Sequence, residues 1–205
     1  MTTDVLLLAG VVAAVVFVIV LLIEGALRPG YEPIYHTGSE LELGERGWIQ
    51  RINFLVMGVG VFGFAIGVQR SLNSTIGAVL LAVFGVGLIV AGVFAPDPVR
   101  GYPPGAPADR EVGVTWQAKV HDVSGPVMFL ALLGACLVLA GKLQGGWRVY
   151  TMVTAAAGLV LTVWTAVAYQ KDAANTGLVQ RGLIFVYWCW IVVLGLHLVI
   201  SASPR

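Results

Sequence analysis

The chain of 205 residues is 58% hydrophobic and only 11% charged, with a formal net charge of +1 and two cysteines. A soluble domain of this size lacks the polar surface to cover so much apolar material. The same figures exclude nucleic acid as a partner, a disulfide-built secreted fold and a disordered chain. They predict an all-α integral membrane protein.

In chain order, six stretches are long and apolar enough to cross a hydrocarbon layer about 30 Å thick, which takes roughly 20 helical residues. They are predicted over residues 5–27, 49–69, 76–94, 123–141, 150–169 and 183–200. These spans leave no room for a separate soluble domain, so residues 1–205 read as one polytopic bundle in the cell membrane, with both ends on the same side. No basic residue precedes the first span and its apolar run exceeds that of a signal peptide, so it is expected to be retained as a helix.

The connections are unequal. Residues 28–48 and 95–122 are long, whereas 70–75 and 142–149 are tight turns, so two long loops gather the polar residues on one face of the membrane. Connections longer than about 15 residues usually serve a function, such as a lid or a mouth. The loop face carries eight Lys or Arg against four on the other face, but also nine acids, so the charge rule leaves orientation open.

Small residues at helix-contact spacing, Gly63 with Gly67, Gly87 with Ala91 and the 155–158 run ending in Gly158, are expected to let helices approach closely. Tyr150, Trp164, Tyr169, Tyr187, Trp188 and Trp190 are expected mostly near span ends, at the membrane interface. Cys136 and Cys189 stand alone and read as small apolar fillers. No Asp, Glu, Lys or Arg occupies a mid-span position, which argues against an ion pathway or a lysine Schiff base.

The candidate site is therefore the loop face. Glu24 and Arg28 are four apart on one helix face, an ion-pair spacing. Ser39 and Glu42 have capping-box spacing and Gly44 can end that short helix, which leaves Glu40 as the acid without a structural explanation. Gln50, Arg51 and Asn53 open the second span, and unpaired polar groups in hydrocarbon are costly, so all three are expected to face inward. Asp97 is held at the boundary between Pro96 and Pro98. His121 and Asp122 open the fourth span, with Asp122 or Ser124 as its N-cap. Gln180 and Arg181 open the sixth.

Two chemistries fit this set. In one, Arg28, Gln50, Arg51, Asn53 and Arg181 bind a lipid or small amphipathic ligand, or the chain is an accessory subunit that meets other membrane subunits there. In the other, His121 acts with Asp97, Glu40 and Asp122 in general acid–base or metal-assisted hydrolysis of a lipid. No HExxH or paired-Cys spacing specifies a metal, and no cofactor is identified.

Arg28-Pro29-Gly30-Tyr31, Ser39-Glu40-Leu41 with Gly44, Gly47-Trp48-Ile49-Gln50-Arg51 with Asn53-Phe54, then Asp97-Pro98, His121 and Gln180-Arg181 form a pattern that resembles the membrane family called domain of unknown function 998. The resemblance covers nearly the whole chain. It implies a six-span membrane protein of bacterial or archaeal type and no particular activity. The proline-rich segment 101–120 has no counterpart in it.

Overall fold

A computed structural model describes residues 1–108 and 114–202. Asp109, Arg110, Glu111 and Arg205, counted above among the loop and collar charges, lie outside the described residues. Six helices result: α1 (Thr3–Leu27), α2 (Gly47–Leu72), α3 (Thr75–Val93), α4 (Trp116–Ala140), α5 (Gly145–Gln170) and α6 (Thr176–Ala202), with a short 3-10 helix (Gly38–Glu42) in the first long loop. All six are long and apolar enough to cross a membrane. Large apolar side chains such as Val12, Ile19, Val59, Val79, Val153 and Val160 are exposed on the outside. An apolar surface of that extent calls for hydrocarbon around it.

Each helix packs on its sequence neighbours and α6 closes on α1, so the helices form a ring in chain order. Aromatic rings fill its axis. Trp188 lies 5.0 Å from Phe17 and 5.5 Å from Phe84 between ring centroids, and Phe17 meets Phe54 edge-on at 5.3 Å. Tyr187, Trp188 and Trp190 are therefore core residues rather than interfacial ones, and the Trp190 indole donates to Thr151 Oγ1 at 3.1 Å. The reason is that α6 starts seven residues before the apolar stretch does, which puts these rings in mid-helix. Cys136 is buried in the same core and Cys189 is half-buried.

The helix starts differ from the predicted ones in a consistent way. Thr115 caps α4 by accepting from the Ala118 amide, and α4 then runs through His121 and Pro126 without stopping. Asp122 and Ser124 are thus helix-interior residues, and the Ser124 hydroxyl donates back to the His121 carbonyl at 2.7 Å. The leading turns of α4 and α6 are polar, and hydropathy does not register polar turns that rise above the hydrocarbon.

Glycines set the closest approaches. Gly60, Gly63 and Gly67 face α1: a Cβ at Gly60 would stand 2.4 Å from the Ala13 Cβ and 3.0 Å from the Ala9 carbonyl oxygen, and one at Gly67 2.8 Å from Leu7. Gly87 meets Met128 of α4, and Gly158 meets the Tyr187 ring of α6. Gly60→Ala is expected to force α1 and α2 apart and destabilise the bundle by about 1–3 kcal/mol. Gly146→Ala, where a Cβ meets nothing within 4 Å, is the neutral control. Thermal melts of the two variants in detergent check this, and equal melting would refute it.

Candidate functional site

The loop face is closed by a cap in which most of the cations named above are committed to the protein itself. Arg28 is buried; its Nε donates to Glu24 Oε2 at 2.8 Å and its Nη atoms to the carbonyls of Leu41, Leu43 and Arg46 and to the Tyr102 hydroxyl. Arg46 pairs with the other Glu24 oxygen. Arg181 donates to the carbonyls of Pro33, His36 and Gly177 and to the Tyr31 hydroxyl. Burial pushes the Tyr31 hydroxyl up to about 12, so it stays protonated and donates in turn to the Thr37 carbonyl at 2.8 Å. Arg28 and Arg181, proposed from sequence as ligand grips, thus spend their donors on loop carbonyls. A five-donor planar fork suits that task.

Arg100 is the third clamp and had no assigned role. It is fully buried, donates to the Tyr35 carbonyl at 2.9 Å, lies 3.8 Å from the Tyr35 ring centroid and stands 3.0 Å from Asp172. Arg100 and Asp172 both hold positive φ, 61° and 51°, an unfavourable backbone for non-glycine residues that their mutual contact helps to fix. His36 is closed off as well: its Nδ1 accepts from the Glu32 amide at 2.8 Å, so its Nε2 carries the proton and donates to the Arg100 carbonyl at 3.1 Å. Tyr31, Tyr35 and Tyr102 surround its ring.

Two capping-box spacings overlap in this loop, and the structure uses the other one. Glu40, not Glu42, is the capping acid: its Oε2 accepts from the Thr37 amide at 2.5 Å and the Thr37 hydroxyl at 3.1 Å, while Oε1 faces Arg100 Nε at 4.0 Å. Burial raises the Glu40 carboxyl and Arg100 opposes that rise. The unexplained acid is Glu42. It is 1% exposed, and neither carboxyl oxygen has a hydrogen-bond partner among the described residues. Burial raises its pKa well above the ordinary 4.5, with Arg51 opposing. Its nearest ionisable contact is His121 Nδ1, at 3.9 Å. Gly47 lets α2 start directly against it, since a Cβ there would lie within 1.9 Å of the Glu42 carbonyl oxygen.

Of the three polar residues at the head of α2, Gln50 and Asn53 are buried and Arg51 is exposed. Residues three apart share a helix face, whereas the next residue turns about 100° away, so Arg51 could not join them. Asn53 Nδ2 donates to the Phe17 carbonyl at 3.1 Å and to Gln50 Oε1 at 3.2 Å. Asp97 is not beside His121 in a common pocket: it accepts at 2.7 Å from both the amide and the hydroxyl of Thr115, the start of α4, and lines a separate surface cleft with Asp122.

Beneath the cap lies a cleft of about 420 Å³ between the loop-side halves of α4, α5 and α6. Near the cap its wall is polar, with Thr37, Ser39, His121, Asp122, Gln170 and Gln180; deeper in, it is mostly apolar, with Pro126, Phe129, Ala166 and Leu183, interrupted by the hydroxyls of Thr162 and Thr165. From His121 to Phe129 the wall descends about 12 Å at the helical rise of about 1.5 Å per residue. No Lys or Arg lines it among the described residues. His121 Nδ1 is 2.7 Å from the Phe94 carbonyl oxygen, an atom that can only accept, so Nδ1 carries the proton and Nε2 keeps its lone pair. His121 is thus a hydrogen-bond acceptor or a base in the wall. Glu40 and Asp97 are engaged elsewhere, and Asp122, the next residue on the helix, lines both this cleft and the one beside Asp97. No three His, Cys, Asp or Glu side chains converge as a metal would need among the described residues.

A family model described as "Protein of unknown function (DUF998)" matches residues 11–197. The chain belongs to that family. No curated protein and no solved structure matches it. The family match runs from early α1 to late α6 and so contains every cap and cleft residue named above. Sequence reasoning took Glu42 for the capping acid and gave Arg100, Tyr102 and the α5 wall no role in the site. Arg100 and Tyr102 lie where the chain shows no periodicity, and the signals that were present, an Arg-Gly pair and a tyrosine in a proline-rich loop, are those of any turn.

Proposed function

We propose that the protein binds an amphipathic molecule of the membrane-lipid class in the cleft between α4, α5 and α6. The observation that carries this reading is the cleft's grading from a polar mouth at the cap, free of Lys and Arg among the described residues, to a mostly apolar floor, in a volume that falls in the range of small-molecule sites. The elaborate cap supports it. Three buried guanidiniums hold one irregular loop over the bundle, and rigid supports of that kind position a site rather than form one.

Gly125 supplies the test. It lines the cleft, and a Cβ there meets nothing within 4 Å, so a larger side chain starts from open space and extends into the cleft. Gly125→Leu is expected to melt at or above the wild-type temperature, because leucine favours helix over glycine by up to about 1 kcal/mol, and to lose lipid that co-purifies with the wild type. Native mass spectrometry of both proteins after detergent exchange reads this. An unchanged complement of bound lipid in a normally folded variant would refute the assignment.

A further inference from the structure

We infer that the bound molecule carries an uncharged head with hydroxyl and carbonyl groups, as in a monoacylglycerol, which seats its acceptors against Gln50 and Trp188 in an inner chamber of the cleft. This rests on the cleft reading above and specifies its ligand. The chamber, about 70 Å³, lies on the bundle axis beside the cleft. The two share Ser39, His121, Gly125, Phe129 and Gln180 in their walls, so they lie side by side. At about 30 Å³ per water in the liquid, the chamber has room for a small polar group but not for a ring system.

The chamber's chemistry is set by two buried donors that the fold leaves unpaired among the described residues. Gln50 is 0% exposed; its Oε1 is used by Asn53, and its Nε2 has no hydrogen-bond partner among the described residues. Trp188 is 2% exposed, and its Nε1, a donor that can never accept, is likewise without one. Buried donors in native proteins are almost always satisfied, so two in one chamber call for an acceptor brought from outside the fold. An ester carbonyl or a hydroxyl oxygen meets that need. In the shared wall His121 Nε2, with its lone pair, can accept from a hydroxyl group. A phosphate head fits poorly: Arg28, Arg100 and Arg181 are all turned to loop carbonyls, and the Asp122 carboxylate sits in the cleft wall. One head with both hydroxyl and carbonyl groups and no charge satisfies all of these groups together.

The experiment titrates the purified full-length protein in detergent with 1-oleoylglycerol and, separately, with oleoyl lysophosphatidate, which has the same chain and glycerol but an anionic head. Wild type, Gln50→Met, Trp188→Phe and Gly125→Leu are compared by ligand-induced shift in melting temperature. Expected are a saturable rise for wild type with oleoylglycerol, little or none with lysophosphatidate, and a loss of apparent affinity of about five- to tenfold in Gln50→Met and in Trp188→Phe, as removal of one hydrogen bond gives. Trp188→Phe keeps the aromatic packing, so it reports on the indole N–H even if Gln50→Met folds poorly. Equal or stronger stabilisation by lysophosphatidate, or no shift with oleoylglycerol, overturns the inference. So does wild-type affinity in both chamber variants, and if Gly125→Leu still abolishes binding in that case, the cleft reading survives while the chamber assignment fails. Binding unaffected by Gly125→Leu sinks both.

Discussion

Arg28→Met is expected to destabilise the protein by about 3–5 kcal/mol and to open the first long loop to protease. The substitution keeps much of the apolar stem and removes only the guanidinium. Glu24 is buried and would keep only Arg46, and the carbonyls of Leu41, Leu43 and Arg46 would lose the donors they now share. Breaking a buried pair from one side costs several kcal/mol because the charge left behind stays buried. Adding Glu24→Gln should recover part of the loss, since the orphaned charge goes with it; neighbours in one network are not additive. Denaturant melts and limited proteolysis in detergent measure the two effects. If Arg28 instead gripped a ligand, the variant would keep its stability and its intact loop and lose only binding.

That contrast marks where sequence reasoning held and where it stopped. Length and apolarity are properties of whole segments, so six helices and the polar loop face could be read directly. Glu24 and Arg28 could be read as a pair because one helix turn fixes their separation. What the loops do with their cations could not be read, because Arg28, Arg100 and Arg181 bond to backbone carbonyls, and carbonyls carry no residue identity. The overlapping boxes Thr37 to Glu40 and Ser39 to Glu42 have equal spacing, so the pattern alone does not choose between them. In the fold Thr37 caps the short helix, and the Glu42 backbone packs against Gly47 at the start of α2, five residues on. Gln50 and Arg51 show the reverse case. Helical periodicity already separated their faces, and the expectation that both turn inward neglected it.

Glu42 follows from the same contact and gives the second large effect. Its carboxyl is raised well above the ordinary 4.5 in the folded protein, so across that interval the folded state keeps a proton that the unfolded state has released. Stability contributed by this group is therefore greatest below pH 4.5 and falls as pH rises, by about 1.4 kcal/mol per pH unit, until the folded group itself ionises. Glu40 is raised too and adds a slope of the same sign, so the informative quantity is the difference between wild type and Glu42→Gln. Glutamine has the carboxyl's shape and no proton to lose. Its amide shifts the whole curve by a constant, whereas the lost titration changes its slope. Melts at increasing pH from pH 5 should show the variant gaining on wild type until the folded carboxyl ionises, and parallel curves would mean that Glu42 is ionised in the fold. In that event a carboxylate would stand 3.9 Å from His121 Nδ1 and compete with the Phe94 carbonyl for its proton. An uncharged Glu42 leaves His121 Nδ1–H donating to the Phe94 carbonyl and the Nε2 lone pair available in the cleft wall, where a hydroxyl head can donate to it.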